Sequence, residues 1–426
     1  MFRSTPPLKL LARIGSVIFA LALTLALGGS TLAGQTLADR IGRLTFPVEF
    51  DFLTWTVTAL AEKTGAAGLR ATDYLADADR RQVVLEYLDT LVGVHQLRAD
   101  LETTLADPTR ENPEGDAADI RIQLRQEARR LDRLRPLAES ALQEQVALAL
   151  GDSGIGLAGV PFPPVVFTFA PLPSSLIVSP REVIRQEASI SLKVDLTLEQ
   201  KIQLERRVEQ ALNVSALVVP VGGLGTYPTM VQESADLRWI AEVVAHEWTH
   251  NYLALRPLGW RYGASPEMRT INETVASLIG EAIARRVLET CYPERLPPPP
   301  APTLPAGPPP QQEEPPTFDF RAEMRETRLR VDALLAEGKI EEAERYMEAR
   351  RLVFWEHGYH IRRLNQAYFA FHGAYADEPG GPAGDDPVGE AVRQLWARIA
   401  SPAEFLRLVS RVRSFEELQG LLISLP

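Results

Sequence analysis

Cysteine is almost absent: Cys291 stands alone in 426 residues. No intrachain disulfide can form, and a cysteine-rich zinc site is excluded. A surplus of basic charge is missing as well. Lysine and arginine total 45 against 56 aspartates and glutamates, a formal net charge of -11. A chain whose main partner is nucleic acid presents basic faces to phosphates, so that class is set aside. The remainder is an ordinary globular balance, 45% hydrophobic and 24% charged, in a chain long enough for two or three domains.

Charge is also missing locally. Residues 14–38 carry no charged side chain, and Arg3, Lys9 and Arg13 precede them. A basic start followed by an apolar run, here Val17 to Leu27, is the secretory pattern. Residues 1–38 therefore read as a signal anchor or as a cleaved signal peptide, because about 20 predominantly apolar residues suffice to span a bilayer. The first reading expects a cell-membrane protein with one span and its catalytic domain outside the cytoplasm. The second expects a secreted one.

Composition divides the rest. Residues 39–151 read as a helical N-terminal region, with Ile122, Leu124, Ala128, Leu131, Leu134 and Leu137 near a helical period and a loop at 107–116. From Val160 the texture changes to short β-rich runs at 165–169, 175–178, 188–194 and 216–219, with a helix over 198–212. Residues 152–292 thus read as a small sheet ahead of two longer helices. Residues 293–316 hold 12 of the 33 prolines, the composition of an extended linker. Residues 317–426 read as a helical C-terminal region, broken near Gly338 and Gly358. One tetratricopeptide-like turn at 335–344 has no second copy, which excludes a repeat array. The expected class is α+β and predominantly helical.

The chemistry sits at His246-Glu247-Trp248-Thr249-His250, an HExxH run. At 3.6 residues per turn, positions four apart lie about 40° apart on one helix face. Two imidazoles so placed can bind one metal ion, and the glutamate between them is left to act as a base toward water. Ser234 is the expected N-cap, with Asp236 in the first turn. Leu237, Ile240, Ala241, Val244 and Trp248 form an apolar stripe, and Pro257 ends the helix. Two structural histidines beside a glutamate are the competing reading, which needs partners for all three buried groups.

A third ligand is required. The metzincin form fails, because Leu253 and Arg256 occupy its Gly and His positions. Glu273, 23 residues past His250, is the better candidate, and Glu281 is the fallback. Ser265-Pro266 makes a helix start. Glu273, Ala276, Ser277, Gly280 and Ala284 then share a face whose small side chains let it approach the HExxH helix closely.

His246-Glu247-Trp248-Thr249-His250 together with Asn272-Glu273-Thr274-Val275-Ala276-Ser277 resembles the gluzincin metallopeptidases, which include thermolysin-like enzymes and zinc aminopeptidases. The resemblance covers residues 234–284. It implies a gluzincin-like catalytic unit, one Zn2+ held by His246, His250 and Glu273, and Glu247 as the catalytic base. Ser277 stands where many thermolysin-like enzymes place an aspartate bonded to a ligand histidine. The exopeptidase motif GAMEN is absent, and Gly222-Gly223-Leu224-Gly225-Thr226 has no acidic residue to hold a substrate amine. Residues 343–367 resemble the end of a bacterial family of predicted aminopeptidases.

The expected function is zinc-dependent hydrolysis of peptide bonds, aminopeptidase-like or oligopeptide-cleaving, outside the cytoplasm. Its partners are a peptide or protein substrate and, through the N-terminal segment, the membrane. The alternatives are a non-catalytic peptide-binding protein or an envelope scaffold on a peptidase fold. An oxyanion donor is also needed. Tyr262 and Tyr292 are the only tyrosines between Pro257 and Pro293. His357, His360 and Tyr368 share a helical face in the aromatic-rich segment 355–375, which is expected to fold back over the metal unless that face is ordinary packing.

Overall fold

The computed structural model describes residues 37–68, 75–107, 109–156, 159–296, 318–372 and 387–424. The apolar N-terminal segment up to residue 36, and the Pro-rich stretch from residue 297, lie outside them. Among the described residues no helix is long and apolar enough to cross a membrane.

The chain is predominantly helical with small sheets, an α+β arrangement. It opens with α1 (Leu37–Thr45), a 3-10 turn (Phe46–Val48) and α2 (Phe52–Gly68). Two long helices follow, α3 (Asp77–Ala106) and α4 (Pro113–Asp152), packed along each other. The loop expected at 107–116 is shorter. Asn112 accepts from the Gly115 amide and Pro113 takes the first helical position, where its missing N–H costs nothing, so the helix begins before Asp116.

Among the described residues, two three-stranded sheets follow rather than one. The first contains β2 (Ser174–Pro180), β3 (Ala188–Leu192) and β4 (Val214–Val219), antiparallel in the order β3-β2-β4. Between β3 and β4 runs α5 (Leu198–Leu212), started by a capping box of Thr197 and Gln200 and ended by Asn213 in the left-handed region. The period of two along a strand decides what each face meets. Leu176, Val178, Ala216 and Val218 pack toward α1 and α5. Ile177, Leu217 and Val219 point to the other face, which is covered by α9 (Phe320–Ala336), α10 (Ile340–Glu356) and α11 (Gln366–His372). Both faces are buried, which is why β2 and β4 read as continuous apolar runs and not as alternating ones.

The second sheet joins β1 (Phe167–Phe169), β5 (Gly223–Leu224) and β6 (Thr229–Val231) in the order β1-β6-β5. It lies against α6 (Leu237–Leu253), which packs along α8 (Pro266–Cys291); the four-residue α7 (Pro257–Trp260) sits between them in sequence. The largest core runs from α3 and α4 through this pair. It also takes in α12 (Pro387–Arg398), α13 (Pro402–Val409) and α14 (Phe415–Ser424). The C-terminal helices are therefore divided: α9 to α11 cover the first sheet, and α12 to α14 close the core behind α8.

Candidate metal centre

Helix α6 carries the HExxH residues in its second half. Its N-cap is Asp236, which accepts from the Trp239 amide, and not Ser234. Ser234 stands two residues earlier, where its hydroxyl accepts from the Asp236 amide. The helix ends at Leu253, and Pro257 opens the next short helix instead of ending this one. The apolar stripe is buried as its period implies, and Trp248 donates its indole N–H to Pro163 O at 2.7 Å.

Helix α8 starts at Ser265, which accepts from the Met268 amide, with Pro266 at the first helical position. Its small residues bring it against α6. A side chain on Gly280 would meet the Glu242 carbonyl oxygen at 2.9 Å and His246 Cβ at 3.2 Å. That closeness puts Glu273, about two turns earlier, opposite the two histidines. His246 Nε2 and His250 Nε2 lie 3.1 Å apart. Glu273 Oε2 is 3.5 Å from the first and 3.3 Å from the second. The three ligand atoms all lie within 4.8 Å of one another. Glu281, the fallback, instead pairs with Arg285 on the helix surface at 3.0 Å.

These donors fit a cation. Glu273 is buried, yet its Oε2 accepts no hydrogen bond. Two imidazole nitrogens and a carboxylate oxygen converge on one point, a buried arrangement stabilised by a positive charge between them, whether a ring proton or a metal ion. Two imidazoles and one carboxylate are a donor set for zinc, which keeps a further position open in catalytic sites.

The surrounding groups set direction and charge. Asn272 Oδ1 lies 2.8 Å from His250 Nδ1, which places the ring hydrogen there and leaves Nε2 free to bind. Tyr262 donates to Glu273 Oε1 at 2.6 Å, so the other oxygen is the one turned to the histidines. Burial opposes a charge on His250, but the Glu273 carboxylate beside it prevails and pushes the ring up to about 9. Burial likewise opposes a charged Glu273, and the two imidazoles overcome it, holding the carboxyl well below the usual range. Glu247 goes the other way: burial, with the Glu273 charge in support, raises it. Burial and the same charge raise Tyr262 well above an ordinary phenol.

Glu247 lies under strand β5. A side chain on Gly223 would come within 2.6 Å of Glu247 Oε1, and one on Gly225 within 3.3 Å of Oε2. The glycines that lack an amine-binding acid thus have a steric role, admitting the backbone close to the base.

Sequence reasoning missed Asn272 and Tyr262. Asn272 adjoins the ligand on α8, and its side-chain oxygen meets His250 across the contact with α6. Tyr262 stood out only as one of two tyrosines before Pro293. Tyr292, the other, donates to Gln145 at 2.9 Å inside the core. The segment expected to fold over the metal makes its contacts elsewhere. His357 stacks on Phe318 at 3.9 Å, His360 lies 4.3 Å from Trp355, and α11 packs on β2 and β4. Burial holds His372 down to about 4, a half-buried ring against Tyr368. Comparison with known proteins returns no matching family model, no similar characterised protein and no similar solved structure.

Proposed function

We propose that this protein is a zinc metallopeptidase with a gluzincin-like unit, tethered to a membrane by its N-terminal segment or secreted through it. The convergence of His246 Nε2, His250 Nε2 and Glu273 Oε2, an oxygen that accepts no hydrogen bond, with Glu247 buried on the helix that carries the two histidines, carries the reading.

His246, His250 and Glu273 hold the ion. Zinc, when bound, supplies Lewis acidity that polarises a scissile carbonyl and lets water lose a proton near neutral pH. Glu247 takes that proton and returns it to the leaving nitrogen. Burial raises its pKa, the direction that strengthens a carboxylate as a base. Asn272 holds the His250 tautomer and Tyr262 aims Glu273. Strand β5 is an outer strand of its sheet and runs past Glu247, so an extended peptide can pair with it and present its carbonyl to the site. The test is elemental analysis of the purified protein combined with cleavage of a mixed peptide library. Near one zinc per chain with cleavage that a chelator abolishes is the expected result. Zinc without cleavage would leave a peptide-binding protein, and no zinc would leave a scaffold.

A further inference from the structure

The start of the fold presents apolar side chains to the outside. Phe46 is 79% exposed, Leu53 62% and Val57 61%. Leu53 and Val57 are one helical turn apart on α2 and share a face. Beside them the exposed residues Thr54, Thr58 and Ala61 are uncharged, and no charged residue occurs between Phe52 and Ala61. A solvated helix face normally carries charge. The opposite face is the packed one, with Thr56 and Ala59 buried and Leu60 against Tyr227.

Cations lie along the stretch that leads to this helix, in a chain that is acidic as a whole. Arg43 ends α1. Lys193 Nζ reaches Pro47 O at 2.8 Å, and Arg207 reaches Leu44 O at 3.2 Å. Acids stand among them: Asp51 accepts from the Thr54 hydroxyl and amide, which hold its carboxyl below the usual range, and Glu49 accepts from Thr45 at 2.5 Å. Exposed apolar groups flanked by basic ones suit the boundary between lipid headgroups and acyl chains. The chain's own uncharged run, residues 14–38, ends inside α1, which begins at Leu37. The proposed tether therefore leads directly into α1, which precedes Phe46.

We infer that Phe46, with Lys193 and Arg207 bonded to the backbone on either side of it, and the Leu53 and Val57 face of α2 rest on a bilayer. The inference rests on the membrane tether proposed above and adds to it: the catalytic unit is held against the surface in one orientation. Because Leu60 of α2 packs on Tyr227, just past the glycine strand, the contact fixes which side of the metal centre faces the bilayer.

The test uses the full chain, with Cys291→Ser, in vesicles of phosphatidylcholine and phosphatidylglycerol. Nitroxides are attached through Leu53→Cys, Val57→Cys and, as a control on α10, Leu352→Cys, which is 50% exposed. Flotation reads the tether, and relaxation by oxygen against a water-soluble nickel chelate reads the face. Labels at 53 and 57 should lose relaxation by the chelate and gain it from oxygen, while the label at 352 keeps the aqueous pattern. A chain that floats with all three labels in water overturns the face and leaves the tether standing. A chain that does not float overturns both. Spin–spin broadening between labels at 57 would assign the face to a second copy and likewise overturn the inference.

Discussion

His246, His250 and Glu273 differ from Glu247 in where their atoms point: three converge on one position, and the fourth lies beneath a strand. Truncating any of the three to Ala should therefore strip zinc, read by elemental analysis, and abolish cleavage. Glu247→Gln should keep zinc and lose turnover, because it keeps the shape and removes the base. Normal zinc content in Glu273→Ala would point to another acid as the ligand. Proton linkage gives a second expectation. In the metal-free protein His250 is pushed up to about 9, so at neutral pH its ring is charged and a metal must displace that proton. Zinc affinity should fall as pH drops below about 9 and level off above it, with about one proton released per ion at pH 7. Calorimetry in buffers of different ionisation enthalpy reads the release, and an enthalpy independent of buffer would refute it.

Among the elements, the contact of α6 with α8 decides whether the site exists. Gly280 sits where any side chain meets the Glu242 carbonyl oxygen and His246 Cβ, and neither backbone can yield alone. Gly280→Leu should cost roughly 1–3 kcal/mol of stability through overpacking. It should also lower zinc content, since about 1 Å of displacement separates ligands from a shared ion. Gly420→Leu on α14, with nothing within 4 Å of its added carbon, should leave both unchanged. Urea midpoints and zinc content for the pair check this, and equal behaviour would show that the helices do not depend on that contact.

For the whole molecule, the question is how α9 to α11 stay on the first sheet. Part of the answer is charge at its edge. Arg362 reaches Glu205 Oε2 at 2.9 Å and also bonds Oε1 and Val218 O. Glu205 is buried and also accepts from the Val218 amide at 2.7 Å, while Arg181 forms a two-pronged pair with Glu344 at 2.7 Å. Removing Arg362 leaves a buried carboxylate short of its main partner, at a cost of about 1–3 kcal/mol. Arg362→Ala should lower the urea midpoint accordingly and leave zinc content untouched, because this latch lies on the sheet and not on the metal helices. A loss of zinc would show that the two cores are coupled.

Much of the site was legible in the residues alone. The HExxH spacing sets two imidazoles on one helix face by backbone geometry, and Ser265-Pro266 marks a helix start through capping, so those features need no distant contact. The small residues of α8 likewise announced a close helix contact. Local signals failed where two neighbours competed for one role, as at Ser234 and Asp236, since only the turn geometry decides which side chain reaches the free amide. They also failed for everything that depends on distance in sequence. Apolar runs at β2 and β4 declare buried strands but not two separate sheets. An aromatic-rich C-terminal segment declares packing but not against which face. Tyr262 and Asn272 gained roles only when α7 and α8 folded back on α6. The sequence by itself determined the ligand types, their helical spacing and the buried faces, because these follow from local backbone geometry. The tertiary structure alone decided which oxygen of Glu273 faces the histidines and what lies over Glu247, because those depend on elements far apart in the chain packing side by side.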